Sequence, residues 1–180
     1  MESIMKGRWS DIDEKAIEYM RATLKEEIHS APDFPELTGD RRLLRFIRGA
    51  KYDVDKAIES YKQMLKWRVE NNVDAIREDI VKNGIRHPKD FPFGETILSH
   101  FPLIIDNPDM VDCEGNPLSV ERISFSPSKV LEDVDLGQFL RFHLYCCELR
   151  LLTLEQLSED QEARARRRAA AAAAAEGGAG

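Results

Sequence analysis

The sequence predicts a mainly α-helical protein of the α+β class, with one or two strands in its second half. Two observations predict the helices. Apolar side chains recur every three or four residues along much of the chain, and Ser, Asp, Asn and Gly stand where these stretches begin and end. A third observation predicts the strand content, because residues 117–125 alternate in character and follow a turn-rich segment.

The first predicted helix begins at Ser10. Residues 10–13, Ser-Asp-Ile-Asp, resemble a capping box, in which the side chains of Ser10 and Asp13 each bind the backbone N–H of the other residue. Apolar residues then recur every four positions at Ile12, Ala16, Met20, Leu24 and Ile28. This spacing predicts one amphipathic helix that ends before Pro32 and Pro35, which mark a linker.

A short second helix follows the linker. Asp40 is predicted to cap its N-terminus, and the helix is predicted to run through Arg48 and to end at Gly49. The third helix then starts at Asp53 or Asp55, either of which can bind the free N–H groups of a first turn.

The third helix has the clearest apolar face in the chain. Its predicted inward side chains are Val54, Ala57, Ile58, Tyr61, Leu65 and either Arg68 or Val69. Asn71-Asn72 supplies a left-handed terminus, because asparagine tolerates that conformation. A further helix over 75–82 ends at Asn83-Gly84, and the segment up to Phe93 is rich in proline and aromatic residues, which predicts a packed connector.

The second half of the chain changes character at an apolar run within residues 101–106. Residues 112–117 have turn chemistry, and 117–125 predicts a strand. Residues 134–152 predict a helix that is apolar nearly all round and therefore buried on several sides. The last stretch, 162–180, is rich in Arg, Ala and Gly, and is either an exposed helix ended by its glycines or disordered.

Composition limits the class of protein. The 180 residues contain 26 Lys and Arg against 33 Asp and Glu, a net charge of −7, and so acidic a chain is not expected to bind nucleic acid. With 42% apolar residues it is too apolar for a disordered protein, yet no apolar run approaches the ~20 residues that span a bilayer. No secretory signal is recognisable at the N-terminus. We therefore expect a globular, cytoplasmic protein.

The sequence shows no catalytic, cofactor-binding or metal-binding motif. A phosphate-binding loop, a nucleophile elbow and paired zinc ligands are all missing from it. The acidic stretch 106–114 fails as a calcium loop, because Met110 takes the first ligand position when Gly115 takes the sixth. Cysteines and histidines are scattered without metal-ligand spacing at Cys113, Cys146, Cys147, His29, His87, His100 and His143. We therefore expect a protein that is not an enzyme, with reduced cysteines.

Three spaced motifs carry a resemblance to a known family. Residues 43–57 read LLRFIRGAKYDVDKA, the next helix ends in Trp67-Arg68 with Asp74 after it, and residues 112–117 form an Asp-x-x-Gly-x-Pro turn before an apolar strand. Together they resemble the CRAL-TRIO lipid-binding family, which includes phosphatidylinositol-transfer proteins. The resemblance covers roughly residues 37–152.

The resemblance implies a division of the chain into four segments. Residues 1–36 would form an N-terminal helix and linker, 37–92 the helical module, 93–161 a truncated start of the lipid-binding domain, and 162–180 a low-complexity tail. In the family, further strands and a mobile helix enclose one lipid. One or two strands cannot wall such a cavity, so the segment 93–161 is expected to be incomplete as a lipid container.

The function that the resemblance implies is non-enzymatic lipid binding or lipid transfer at the cytoplasmic side of membranes. The ligand is then a phospholipid or another hydrophobic molecule, and the chain is peripheral to the membrane. Basic residues just after the tryptophan contribute to headgroup binding in phosphatidylinositol-transfer members, which makes Arg68 the lipid-headgroup candidate, alongside an equally open structural role. Arg45 and Arg48 are expected to serve packing and ion pairs.

An alternative function comes from the residues themselves. The apolar helix 134–152 can act as the surface of a non-catalytic interaction module or regulatory fragment that self-associates, because an exposed apolar patch usually marks an interface.

Overall fold

Helices make up most of the structure, a computed structural model that describes residues 9–84, 87–100, 103–113, 116–121 and 126–177. The described strands are two and they pair with each other, which confirms the predicted mainly α, α+β class. The chain divides into two compact units, Met1–Asp74 and Ala75–Gly180.

Six α-helices lie within the described residues 9–84. In chain order they are α1 Asp11–Thr23, α2 Lys25–Ser30, α3 Pro35–Thr38, α4 Asp40–Gly49, α5 Val54–Glu70 and α6 Val73–Asn83. The remaining elements are a short 3-10 helix Pro88–Asp90, α7 Gly94–His100, β1 Leu103–Val111, β2 Pro117–Glu121, α8 Pro127–Asp133 and α9 Leu136–Gly177.

The first helix starts as predicted but is broken once. Ser10 caps α1 in a complete capping box, with Ser10 Oγ accepting from the Asp13 N–H at 3.2 Å. Leu24 leaves the helical conformation, so the predicted single helix becomes α1 and α2. Ile12, the first member of the stripe spaced by four residues, is 68% exposed. Four-residue steps advance farther than one 3.6-residue turn, so a stripe spaced by four drifts around the helix and its first member falls outside the core.

The caps of α4 and α5 differ from each other. The predicted Asp40 cap is wrong, because Gly39 is the N-cap and Asp40 is the first helical residue, paired with Arg21. A Cβ on Gly39 would lie 2.4 Å from the Pro35 carbonyl oxygen, so that position excludes any side chain. At α5 the Asp53 carboxylate accepts the Lys56 N–H at 3.1 Å, which settles the choice between two predicted starts.

Helices α4, α5 and α6 are each followed by residues in the left-handed conformation. Gly49 is the last residue of α4, as predicted, and Lys51 and Tyr52 after it adopt positive φ angles of 56° and 66°. Asn72 has φ 51°, which confirms the left-handed end predicted for α5. Gly84 likewise has φ 79° directly after α6.

The core of the first unit is formed by α1, α4 and α5. Its buried members are Ile17, Met20, Leu24, Leu43, Leu44, Ile47, Ala57, Ile58 and Tyr61. Tyr61 is fully buried, and its hydroxyl donates to the Leu37 carbonyl at 3.0 Å. Its ring packs edge-on against Phe46 with the centroids 5.3 Å apart. Tyr61 therefore links α5 both to α4 and to the backbone of α3.

The second unit has a separate core and a long last helix. The buried members are Ile76, Ile80, Phe91, Ile97, Val130, Val134, Phe142, Tyr145, Cys146 and Leu149. The partly buried Phe139, Leu144 and Leu152 of α9 also pack against this core, so the predicted burial holds for much of the helix. It fails on the side that carries Leu136 and Leu140, which are 61% and 51% exposed. The helix continues through the alanine tract to Gly177, which resolves the predicted choice for that stretch in favour of helix.

The two strands form an antiparallel hairpin with an irregular register. Ile104 pairs with Val120 and Asn107 with Leu118, with register shifts on both sides of Asn107. Strand β2 confirms residues 117–121 of the predicted strand, and 122–125 lie outside the described residues. The Asp112 carboxylate accepts the Asn116 N–H at 2.8 Å, as the turn chemistry predicts.

We predict that Tyr61→Phe lowers the free energy of unfolding by about 1 kcal/mol, because the Leu37 carbonyl loses a buried donor while the ring contacts stay. Urea unfolding followed by circular dichroism measures this change. Tyr19→Phe is the matched control, since Tyr19 is 55% exposed and its variant should keep the wild-type stability. Equal effects of the two substitutions would contradict the role given to the Tyr61 hydroxyl.

Candidate functional site

Helix α4 combines a buried apolar side with four arginines. Leu43, Leu44 and Ile47 point into the core. The arginines occupy the remaining directions of the same ten-residue helix, at positions Arg41, Arg42, Arg45 and Arg48. Arg45 and Arg48 are exposed and Arg41 and Arg42 are half-buried, so the helix presents guanidinium groups at the surface while its opposite side holds it on the core.

Two grooves run along the basic side of α4, and both include Arg45. The first, of about 300 Å³, is lined by Trp9, Arg41, Leu44, Arg45 and Arg48. The second, of about 310 Å³, is lined by Arg42, Arg45, Phe46, Gly49, Ala50, Lys56 and Ser60. We call them the α4 grooves. Every charged side chain that lines them is cationic, although the whole chain is acidic.

The cations of the α4 grooves are held to different degrees. The Arg42 guanidinium lies 5.2 Å from the centre of the Phe46 ring, in cation–π contact. Arg48 is fixed by an ion pair with Asp13. Arg45 and Lys56 are exposed and make no ion pair within the described part of the chain. These two side chains are therefore the ones most available to an anion.

Asp13 anchors the end of α4 to the start of α1. Its carboxylate accepts from Arg48 Nη2 at 2.9 Å and from the Tyr52 hydroxyl at 2.8 Å, and its residue is 3% exposed. The Arg48 guanidinium first, and the Tyr52 hydroxyl second, hold the pKa of the Asp13 carboxyl far below its usual range. The sequence showed Asp13 only as part of a capping box, because its long-range partners are 35 and 39 residues away.

A third groove, of about 450 Å³, carries aromatic and apolar side chains. It is lined by Ile12, Lys15, Ala16, Tyr19, Tyr52, Val54 and Asp55. Tyr19 and Tyr52 are 55% and 45% exposed, so their rings lie at the surface. Tyrosine suits the boundary between an apolar phase and water, because its ring is apolar and its hydroxyl is polar.

Arg68, the predicted headgroup residue, lies in the last turn of α5. It is 5% exposed, and its Nη2 and Nε atoms lie 2.7 and 2.8 Å from Asp74 Oδ1. The structure thus brings together the arginine and the aspartate of the Trp-Arg…Asp motif as an ion pair between a buried arginine and a half-buried aspartate. It also settles which residue completes the inward face of α5, because Val69 is 77% exposed. Arg68 does not line either of the α4 grooves.

The α4 grooves were not predicted as a site. The sequence assigned Arg45 and Arg48 to packing and ion pairs, which holds for Arg48 through Asp13. The available signal was the spacing of Arg41, Arg45 and Arg48, which places three guanidinium groups on one side of a helix. None of the helices in the described residues has the length and apolar character needed to cross a membrane.

Comparison with known proteins identifies the relatives of this chain. It is 32% identical over 103 residues, 57% of its length, to the phosphatidylinositol/phosphatidylcholine transfer protein SFH9 of Arabidopsis thaliana. It is 30% identical over 117 residues to the SEC14 cytosolic factor of Eremothecium gossypii, and 24% identical over 136 residues to the Arabidopsis transfer protein SFH14. The chain is a homologue of Sec14-type phosphatidylinositol/phosphatidylcholine transfer proteins.

This homology confirms the predicted resemblance to the CRAL-TRIO lipid-binding family. No protein-family model matches the chain. The matched part spans 16% of the length of SFH9, 22% of SFH14 and 32% of the SEC14 cytosolic factor, so the Sec14-type relatives are much longer than the stretch they share with this chain.

We predict that Asp13→Asn destabilises the protein at neutral pH and that the difference from wild type shrinks as the pH falls. A carboxyl whose folded pKa is lowered stabilises the fold fully above its unfolded pKa of 3.8, and this contribution fades below that value. Urea unfolding at pH 7, 5 and 3 tests the trend. Asp11→Asn is the control on the same turn, because Asp11 is exposed. A constant wild-type-to-variant difference across this range would contradict the linkage.

Proposed function

We propose that this chain is part of a non-enzymatic phospholipid-binding protein of the transfer type, acting at the cytoplasmic face of a membrane. The homology to Sec14-type transfer proteins carries this proposal. The structure of the shared motifs supports the proposal. Residues 43–57 form most of α4, the connection after it and the start of α5. In the Trp-Arg…Asp motif, Arg68 and Asp74 form an ion pair.

The ligand in this proposal is phosphatidylinositol or phosphatidylcholine, the two lipids in the names of the plant relatives. A phospholipid with two acyl chains needs a closed apolar container, whereas the three grooves of the first unit measure about 300 to 450 Å³ and are lined partly by charged side chains. The two-stranded sheet of the described residues does not wall a cavity. We therefore propose that this chain contacts phospholipid at its surface and that this contact is one part of a transfer activity.

The α4 grooves are the proposed contact with an anionic membrane. A chain with a net charge of −7 is repelled by anionic lipid as a whole, so docking requires a local basic surface. The α4 grooves supply five cations without a lining carboxylate. The exposed Tyr19 and Tyr52 of the third groove lie on the same unit and suit the interfacial layer.

A second basic stretch offers a matched comparison. Arg164, Arg166, Arg167 and Arg168 are exposed on α9, and Arg166 pairs with Glu162 at 3.6 Å. We propose that these arginines are a solvated face.

We predict that Arg45→Gln/Lys56→Gln weakens binding to anionic vesicles about 30-fold. Each basic residue near an anionic surface contributes ~1 kcal/mol, and two such losses correspond to that factor. Flotation with phosphatidylcholine vesicles, with and without phosphatidylserine, measures the binding. The control Arg167→Gln/Arg168→Gln changes the net charge by the same amount and should bind like wild type. Equal losses in the two variants, or binding that ignores anionic lipid, would overturn the proposed contact.

A role for Arg68 in binding the lipid headgroup remains a prediction. Its pairing with Asp74 is compatible with a guanidinium that is held in place for a phosphate and also with a purely structural pair. A headgroup role for Arg68 predicts a one-to-one lipid adduct in native mass spectrometry after incubation with vesicles of phosphatidylinositol and phosphatidylcholine, lost in Arg68→Ala and kept in Arg68→Lys. A purely structural pair, in a chain without a closed lipid container, predicts no such adduct. Unfolding curves of both variants establish that they are folded. An adduct that survives Arg68→Ala would contradict the headgroup role.

One observation favours the alternative function, a self-associating interaction module. Leu136 and Leu140 lie one helical turn apart on α9 and both are more than half exposed. Exposed leucines at this spacing are typical of a helix face that packs on a partner.

A further inference from the structure

The outward side of α9 carries a continuous stripe of side chains. Leu136, Leu140, His143 and Cys147 follow each other at helical spacing. The core members of α9, Phe142, Tyr145, Cys146 and Leu149, lie on the opposite side of the helix. We call the first set the outer stripe. Leu136, Leu140 and His143 are exposed, and Cys147 is half-buried.

Two potential metal ligands meet in the middle of the outer stripe. His143 Nε2 and Cys147 Sγ are 3.5 Å apart. Zinc bonds sulfur at about 2.3 Å and nitrogen at about 2.0 to 2.1 Å with tetrahedral angles, which separates two such ligands by about 3.5 Å. The pair therefore already has the spacing of two ligands of one Zn²⁺ ion.

The other cysteines of the chain do not share this arrangement. Cys146 is adjacent in sequence but buried in the core, and burial raises the pKa of its thiol to about 12. Cys113 is exposed at the end of the β1–β2 hairpin. The sequence predicted no zinc site, because it shows no Cys-x-x-Cys pair and no cluster of cysteines and histidines. The four-residue spacing of His143 and Cys147, which places both on one side of a helix, was not recognised there.

Within the described residues, one copy of the chain brings two ligands together at this point, His143 and Cys147. A structural zinc site takes four, and the described residues contain no cluster of three or more His, Cys, Asp or Glu side chains that could hold a metal. A two-fold axis through the metal brings the same patch of a second copy into contact and completes the set as two cysteines and two histidines. The same contact covers the exposed leucines of the outer stripe.

We propose that the outer stripe of α9 is a zinc-dependent homodimer interface, in which His143 and Cys147 of two copies together bind one Zn²⁺. This inference does not depend on lipid binding. The second copy is the favoured occupant because the half-site and the apolar side chains lie on one stripe, and two-fold symmetry satisfies both at once.

The protons of the site balance as follows. A cysteine thiol has an ordinary pKa of about 8.5, so the metal-free thiol is protonated at neutral pH. Zinc binding forms two Zn–S bonds and releases one proton from each thiol to solvent, while each His143 gives the lone pair of Nε2 and keeps its proton on Nδ1. Two thiolates and one Zn²⁺ leave the site neutral, which suits an interface that covers leucines.

The experiment is a Zn²⁺ titration of the full chain in the presence of a non-thiol reductant, followed by native mass spectrometry and light scattering. We expect one zinc ion per two chains and a dimer that returns to monomer with a chelator. Substitution of Zn²⁺ by Co²⁺ should give the visible absorption of a tetrahedral thiolate site.

Variants separate this site from other cysteines and histidines. His143→Ala and Cys147→Ser should each abolish the zinc dimer, and circular dichroism should report an unchanged fold, because the outer stripe lies away from the core. Cys113→Ser and His29→Ala are the matched controls and should dimerise like wild type. One zinc per single chain, a dimer that forms without zinc, a zinc dimer that survives Cys147→Ser, or no zinc binding would each overturn the proposal.

Discussion

The carboxylate of Asp13 is the interaction on which the first unit depends. It closes the cap of α1, binds the guanidinium of Arg48 from the last turn of α4, and accepts the hydroxyl of Tyr52 from the connection to α5. Three segments that are distant in sequence thus meet at one buried anion. A buried carboxylate is costly without such partners, so the three donors and the acid stabilise each other as a set.

The position of α4 follows from that anchor and from the core beneath it. Leu43, Leu44 and Ile47 fix one side of the helix, and Arg48 is fixed at its end. The remaining cations then have a defined place on the surface although their own side chains are long. A basic surface built on a packed helix can present charge to a membrane without the ordering cost of a flexible tail, because the backbone is already fixed.

Local signals allowed most of the fold to be predicted. The capping residues Ser10 and Asp53, the left-handed Asn72 and the apolar face of α5 all depend on neighbours within a few residues, and the structure has them as the sequence indicates. The break at Leu24 and the exposure of Leu140 depend on what packs against each helix.

The candidate site was harder to predict for the same reason. Asp13 and Arg48 are separated by 35 residues, and no local pattern indicates that they meet. Arg68 stood out in the sequence because it belongs to a motif, but a motif does not say whether an arginine contacts a ligand or a neighbouring aspartate. One of the α4 grooves is formed jointly by α4 and the first turns of α5, so the sequence of either helix alone does not indicate it.

The continuity of α9 has a consequence for its alanine-rich end. An isolated helix must first form a costly nucleus, after which each added residue is inexpensive, and alanine is the most favourable residue for that growth. The packed turns around Phe142 and Leu149 act as that nucleus, so the tract after Arg168 extends a helix that already exists. The helical conformation of the tract therefore depends on the core of the second unit. When that core unfolds the tract should lose its helix as well, although none of its residues belongs to the core.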